Sequence, residues 1–319
     1  MLEKIAESIK NNKNILEKKE INPIVEYIDS NSYKSSRIYS SIGEDSASII
    51  NENDKLTLIT TDRIKTEFIE NFPFGAGFSS ILVGVDDIYA CGGTPLAATI
   101  IVSFKEQNIG MKIIEGICAG SNKFKIPIIR GHTNTRDYYE LSSTLIGEIK
   151  KEDYISATNA KIGDYIILAV DFDGKVGKAS NLYWDTTTFK DTDTIIKKRE
   201  SMNEIAKRHL ANASKDISNG GIFGTILQLI KYSKVGAKVN INQIEIPPLL
   251  KKLNYDLKTY IKMYLTTSFI ITSPEENCHK IINIFKKHGM TANVIGKIIK
   301  YENLIQISDG LNTIDALKF

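Results

Sequence analysis

The sequence predicts two joined domains, a sheet-rich α/β half followed by an α+β half, and three observations carry that reading. Short β-prone runs alternate with two helical stretches between about residues 47 and 149. A polar, aperiodic stretch, KKEDYISATNAKIGD, then interrupts the pattern near residues 149–163. Beyond it, helices separate strands that are mostly non-adjacent in sequence, as in a sheet with helices on one face. The expected units are an N-terminal helix with a mobile segment at 1–40, a first domain at 41–155 and a second at 156–319.

In chain order, Leu2, Ile5, Ile9 and the Ile15-Leu16 pair stand near helical spacing and predict an amphipathic helix over residues 2–19 that packs and does no chemistry. Residues 29–41, rich in Ser and Tyr, read as a loop. SASII, LTLIT, LAATIIVS, IPIIRG and ELSSTLIGEI then read as strands, with helices at 79–91 and 111–124 between them. In the second half DYIILAV, AKVNI, TSFIIT, ANVIGKII and LIQIS read as strands. Helices are expected at 194–210, 221–232, 256–265 and 275–288.

Composition narrows the function classes. The 319 residues carry 41 basic against 38 acidic side chains, a formal net charge of +3. So small an excess argues against a general nucleic-acid or membrane binder. No run approaches the roughly 20 apolar residues of a membrane helix, and the opening MLEKIAESIK lacks a secretory apolar core. Cys91, Cys118 and Cys278 are odd in number and form no CxxC pair, which fits a reducing, cytoplasmic setting without disulfides or structural zinc.

Four stretches couple an Asp to small residues where the chain should turn or start a helix. They are Gly43-Glu44-Asp45-Ser46-Ala47, Thr60-Thr61-Asp62, the run from Asp86-Asp87 to Gly92-Gly93, and Asp216-Ile217-Ser218-Asn219-Gly220-Gly221. Each alone reads as a cap or turn. Asp87 is different, because on a helix it shares a face with Gly84, Ala90 and Cys91 and leaves room for a bulky neighbour. Asp86 fits a solvated helix face. The glycines after Asp216 suit an anion at a helix start, or a plain Ser/Asn cap. Arg130-Gly131-His132-Thr133-Asn134-Thr135-Arg136 reads as a polar loop leaving a strand, able to offer N–H, hydroxyl and guanidinium groups to an anion. Residues 171–184 could form an acceptor-site loop, with Lys175 and Lys178 meeting phosphates and Trp184 stacking on a ring; solvated lysines and a packing Trp are the plainer account.

In this order, GEDSAS, LITTD, FPFGAGFSSILVGVDDIYACGGTPLAAT, RGHTNTRDYYELSSTLIGEI, NAKIGDYIIL and SKDISNGG, the chain resembles the AIR-synthase-like (PurM-type) ATP-binding superfamily from about residue 41 to 232. The long third piece looks most like selenophosphate synthetase. ISNGG looks more like thiamine-monophosphate kinase, and an archaeal AIR-synthase-related group tied to methanogenesis is also similar. The resemblance implies an N-terminal α/β domain with a mixed sheet that closes a dimeric barrel across a twofold, plus an α+β C-terminal domain.

It also implies ATP and Mg²⁺ as cofactors, a small-molecule substrate and a homodimer. Metal-binding carboxylates fall on Asp45, Asp62, Asp87 and Asp216, the last three with catalytic roles, and nucleotide contacts on Gly43, Asp45, Thr61, Gly131, His132, Thr133 and Asn134. Physics agrees to this extent: two carboxylates about 5 Å apart repel by roughly 3 kcal/mol even at an effective dielectric near 20, so four together require cations. The chain departs from the pattern at Glu44, where a first Asp is usual, at Asp86 for Ser, and at Asn219 for Asp. The stretch before Ser41 holds no Cys, and IDALKF ends without one, which argues against selenophosphate synthesis and hydrogenase maturation respectively. The expected activity is ATP- and Mg-dependent phosphoryl transfer of the kinase or synthetase type. The alternative is a nucleotide-binding assembly or maturation factor without robust turnover.

Overall fold

The computed structural model describes residues 2–318, the side chains of 18–22 excepted. Met1 and Phe319, which the two expected outer units include, lie outside the described residues. Two helices open the chain, α1 (Leu2–Lys10) and α2 (Lys13–Asn31), where the spacing predicted one. The break falls at Asn12, whose side chain accepts the N–H of Asn14 at 3.1 Å and so caps a new helix. α2 then runs into the 29–41 stretch expected to be a loop.

The first domain follows as β1 (Ile38–Ser40), β2 (Ala47–Ile50), β3 (Lys55–Arg63), α3 (Thr66–Asn71), α4 (Pro73–Ala90), β4 (Thr94–Phe104), α5 (Gln107–Phe124), β5 (Ile128–Thr135) and β6 (Glu140–Lys150). Its six strands form a mixed sheet in the order β1-β2-β3-β6-β4-β5. Only β4 and β5 are parallel, and the helix α5 makes their crossover. Strand alternation sets the layers: β6 buries Leu141, Ser143 and Leu145 toward the helices and leaves Ser142, Thr144 and Ile146 half-buried on the other face. Glycine decides how closely α4 and α5 approach. A Cβ at Gly77 would lie 2.1 Å from the carbonyl oxygen of Ile113, and one at Gly116 2.0 Å from that of Phe74.

The second domain contains β7 (Tyr165–Val170), β8 (Lys175–Val176), β9 (Tyr183–Asp185), α6 (Thr192–Lys207), β10 (Ala213–Asp216), α7 (Gly221–Ser233), β11 (Gly236–Asn240), α8 (Pro248–Lys252) and α9 (Leu257–Tyr260). It continues with β12 (Tyr264–Leu265), β13 (Ser268–Ser273), α10 (Glu275–Lys287), β14 (Thr291–Ile299), β15 (Leu304–Ser308) and β16 (Thr313–Lys318). Seven strands form a second mixed sheet, β10-β13-β7-β14-β11-β15-β16, and β12-β9-β8 form a small third one. The helix expected at 256–265 is only the single turn of α9. Tyr264 and Leu265 are instead extended beside Tyr183 and Trp184.

Helices cover both faces of the second sheet, not one. β7 sends Ile167 and Ala169 into a core shared with α6, α10 and the first domain, and Ile166, Leu168 and Val170 into a core with α1 and α7. The unbroken apolar run IILAV is the mark of a strand buried on both sides. The second cover was hidden because α1 reaches it from the far end of the sequence. A buried ion pair also ties the domains: the Nε of Arg199 on α6 donates to Asp86 on α4 at 2.6 Å. Asp86 is therefore no solvated helix residue, at 2% exposure. No described helix is long and apolar enough to cross a membrane.

Candidate active site

Four carboxylates meet where the two domains face each other. Asp45 ends the turn after β1, Asp62 lies near the end of β3, Asp87 is on the inner face of α4 and Asp216 closes β10. One oxygen from each of Asp45, Asp87 and Asp216 lies within 4.8 Å of the other two. Asp62 joins through Thr60, whose hydroxyl sits 2.5 Å from Asp87 and 3.5 Å from Asp62. Burial pushes the carboxyls of Asp62, Asp87 and Asp216 above their ordinary range, and nearby negative charge, that of Asp45 on all three, raises them further.

The surrounding backbone explains why these side chains converge. Gly43 takes φ +91°, and a Cβ there would fall 2.4 Å from the Tyr232 ring, so glycine lets the turn press Asp45 onto the second domain. Asp45 then accepts the N–H of Asp216 at 3.1 Å and an ion pair from Lys215. Gly221, at φ +66°, packs where a Cβ would meet the carbonyl oxygen of Ile261 at 2.2 Å. The helix start beyond Asp216 carries no Ser or Asn side-chain cap. Gly220 is the cap residue, and the N–H groups of Gly221 and Ile222 are held by the carbonyls of Ser218 and Ile261.

Other predicted positions lie elsewhere. Thr61 points to the opposite face of β3, paired with the hydroxyl of Thr144 at 2.9 Å. Gly131, His132, Thr133 and Asn134 are not in a loop but on the edge strand β5. The register links Asp62 to Ser143, Ser143 to Ile100 and Ile100 to Gly131. Three strand spacings, roughly 14 Å, therefore separate Gly131 from Asp62 within one chain. Glu44 turns away from the cluster: its carboxylate accepts from Ser156 Oγ and Ala157 N, both at 2.6 Å. Trp184 is fully buried and donates to the carbonyl of Asp171 at 2.9 Å, so it stacks on no ligand. The Nζ of Lys175 lies 4.5 Å from the centroid of the Phe189 ring, and Lys178 is exposed.

Beside the acids opens a cavity of about 480 Å³, with Asp62, Asp87 and Asp216 in its wall. Phe68, Phe72 and the stacked pair Tyr183–Tyr264 supply apolar surface, with ring centroids of the pair 5.6 Å apart, and Lys65 and Lys262 supply positive charge. The buried hydroxyl of Tyr264 has no hydrogen-bond partner. Sequence reasoning missed Thr60, Lys215 and this tyrosine pair. The signal for Lys215 was a lone charge inside a short strand directly before an Asp.

A family profile described as AIR synthase related protein, N-terminal domain, matches residues 43–149, and its C-terminal counterpart matches residues 162–305. The chain belongs to the AIR synthase related family. An uncharacterized protein of Methanocaldococcus jannaschii is 35% identical over 98% of the chain and 95% of its own length. The thiamine-monophosphate kinase of Buchnera aphidicola from Acyrthosiphon pisum is 26% identical over 90% of the chain and 93% of its own length. Among solved structures, AaThiL complexed with AMPPCP and TMP gives a TM-score of 0.67 at 19% identity, covering 94% of this chain and 96% of that one. T. maritima PurL complexed with ATP gives 0.70 at 14% identity, covering 88% of this chain; the chain spans 47% of that longer protein. At such identities these superpositions establish the AIR synthase related fold, two domains with mixed sheets, and the sequence matches relate the chain to kinases and synthetases.

Proposed function

We propose that the protein catalyses ATP- and Mg-dependent phosphoryl transfer onto a small-molecule acceptor. The observation that carries this reading is the set of three carboxylates within 4.8 Å of one another at the edge of an interdomain cavity. The donor set fits the ion: hard oxygen ligands gathered without enough positive side chains suit Mg²⁺. Asp45, Asp62, Asp87 and Asp216 would hold it, and when bound it supplies neutralisation of phosphate charge during transfer.

The chain's own residues prepare that chemistry. Thr60 fixes the Asp87 carboxylate by its hydroxyl, and the N–H of Asp216 fixes that of Asp45. Phe68, Phe72, Tyr183 and Tyr264 offer an acceptor apolar aromatic surface, with Lys65 and Lys262 placed to attract an anionic group. Substituting Asp87→Asn is expected to lower ATP turnover by roughly a hundredfold or more while leaving the circular-dichroism spectrum unchanged. Undiminished turnover would refute the assignment. Slow turnover in the wild type with stoichiometric capture of a partner protein would instead favour the assembly-factor reading.

The same reading includes a homodimer formed on the open face of the first sheet. Leu96, Ile101 and Ile129 are exposed there beside the half-buried threonines of β3 and β6. Light scattering on Ile101→Glu should report a monomer where the wild type reports a dimer.

A further inference from the structure

Lys215 is a buried charged group beside the carboxylates that the phosphoryl-transfer reading leaves without a task. It lies on β10, directly before Asp216, and is 4% exposed. Its Nζ pairs with Asp45 and lies 3.5 Å from the carbonyl oxygen of Gly43. Asp45 is in turn one of the three residues whose oxygens come within 4.8 Å of one another. Neither Lys215 nor Asp45 lines the cavity, whereas Asp62, Asp87 and Asp216 do. The ammonium thus approaches the acids from behind, through the protein, rather than from the cleft a ligand would enter.

We propose that Lys215 is a tethered cation that holds one cation position of the carboxylate cluster, so that an incoming divalent ion must compete with it for Asp45. This rests on the reading of the cluster as a metal site and adds to it. Four clustered carboxylates, Asp216 buried and the other three half-buried, would drive β10, α4 and the turn at Asp45 apart without any counter-charge. A lysine on the strand itself supplies one charge that cannot diffuse away. The consequence is a cluster that stays assembled between turnovers and binds free metal less tightly than its acid count implies. Lys215 is a positioning residue here, since it acts through Asp45.

The test uses the full chain, Mn²⁺ as the probe, and calorimetry without nucleotide, together with melting in a chelator. Lys215→Met should bind Mn²⁺ roughly tenfold or more tightly than the wild type, by loss of one competing charge. Its melting temperature in chelator should fall and recover when Mn²⁺ is added. Lys215→Arg, which keeps the charge, should retain the wild-type affinity. Should the Met variant fail to fold, Lys215→Gln, which can still hydrogen-bond Asp45, must show the same tightening. Wild-type binding of Mn²⁺ with equal or weaker affinity in the Met or Gln variant would overturn the inference alone. No Mn²⁺ binding by any variant would overturn it together with the metal reading beneath it.

Discussion

Asp86 and Asp87 are neighbours on one helix, the first buried and the second half-buried at the cavity wall, and they have opposite fates. Asp86 meets the guanidinium of Arg199 at 2.6 Å, and that guanidinium also donates to the carbonyl of Ile195 at 3.0 Å and lies 5.0 Å from the Phe124 ring centroid. Asp87 meets Asp45 and Asp216, with the Thr60 hydroxyl beside it and, among the described residues, no cation paired with it. Asp171 repeats the first pattern: Lys190 and Lys198 each hold one of its oxygens at 2.6 Å. A buried carboxylate with its counter-ion built in serves the fold. One gathered with others of its own sign is a place for something the chain does not carry.

The contrast can be broken most sharply at the compensated partner. Asp86→Ala leaves Arg199 buried and unpaired, and urea unfolding should record a loss of about 3–5 kcal/mol. A loss no larger than that of a surface substitution would mean the pair does not join the domains energetically. Asp87→Asn should cost roughly a hundredfold to a thousandfold in ATP turnover, the scale typical of losing one electrostatic group in an active site. The same Asp87→Asn, unfolded in chelator, should be more stable than the wild type by about 1–3 kcal/mol, because a repelling charge is gone. Opposite signs for residues 86 and 87 are the central expectation, and a shared sign would erase the distinction.

A smaller effect sharpens the comparison at the surface. Glu204 accepts from Lys287 at 2.8 Å and lies 3.1 Å from His288, and these partners hold its carboxyl down at about 2. A lowered carboxyl contributes stability that is present above its ordinary value near 4.5 and lost as pH falls toward 2. Glu204→Gln should therefore cost about 0.5–1 kcal/mol at pH 7, with the difference vanishing near pH 2 in a pH series of urea melts.

Much of the fold was legible because burial periodicity is local. LTLIT and ELSSTLIGEI alternate as strands covered on one face must, and β3 and β6 are such strands. The errors fell where a distant segment intervened. The run at 256–265 looks helical alone, yet Tyr264 and Leu265 are claimed by β9, some eighty positions earlier. His132 and its neighbours read as a loop because polar residues are rare in covered strands, but β5 is an edge and its side chains face water. At the site, the acids themselves stood out by their small and glycine neighbours. Thr60, Lys215 and the Tyr183–Tyr264 pair did not, since nothing in a linear sequence distinguishes a threonine beside an acid from any other.

The amino-acid order by itself determined the two sheet-bearing halves, the four acidic stretches and their kinship, because spacing along a strand or helix fixes which side chains share a face. Only the tertiary structure decided that Asp86 is neutralised while Asp87 is not, that Glu44 serves the 156–158 turn, and that Lys215 stands behind Asp45. Charge compensation depends on distance through space, and residues 45, 87 and 215 become neighbours only when both domains have folded against each other.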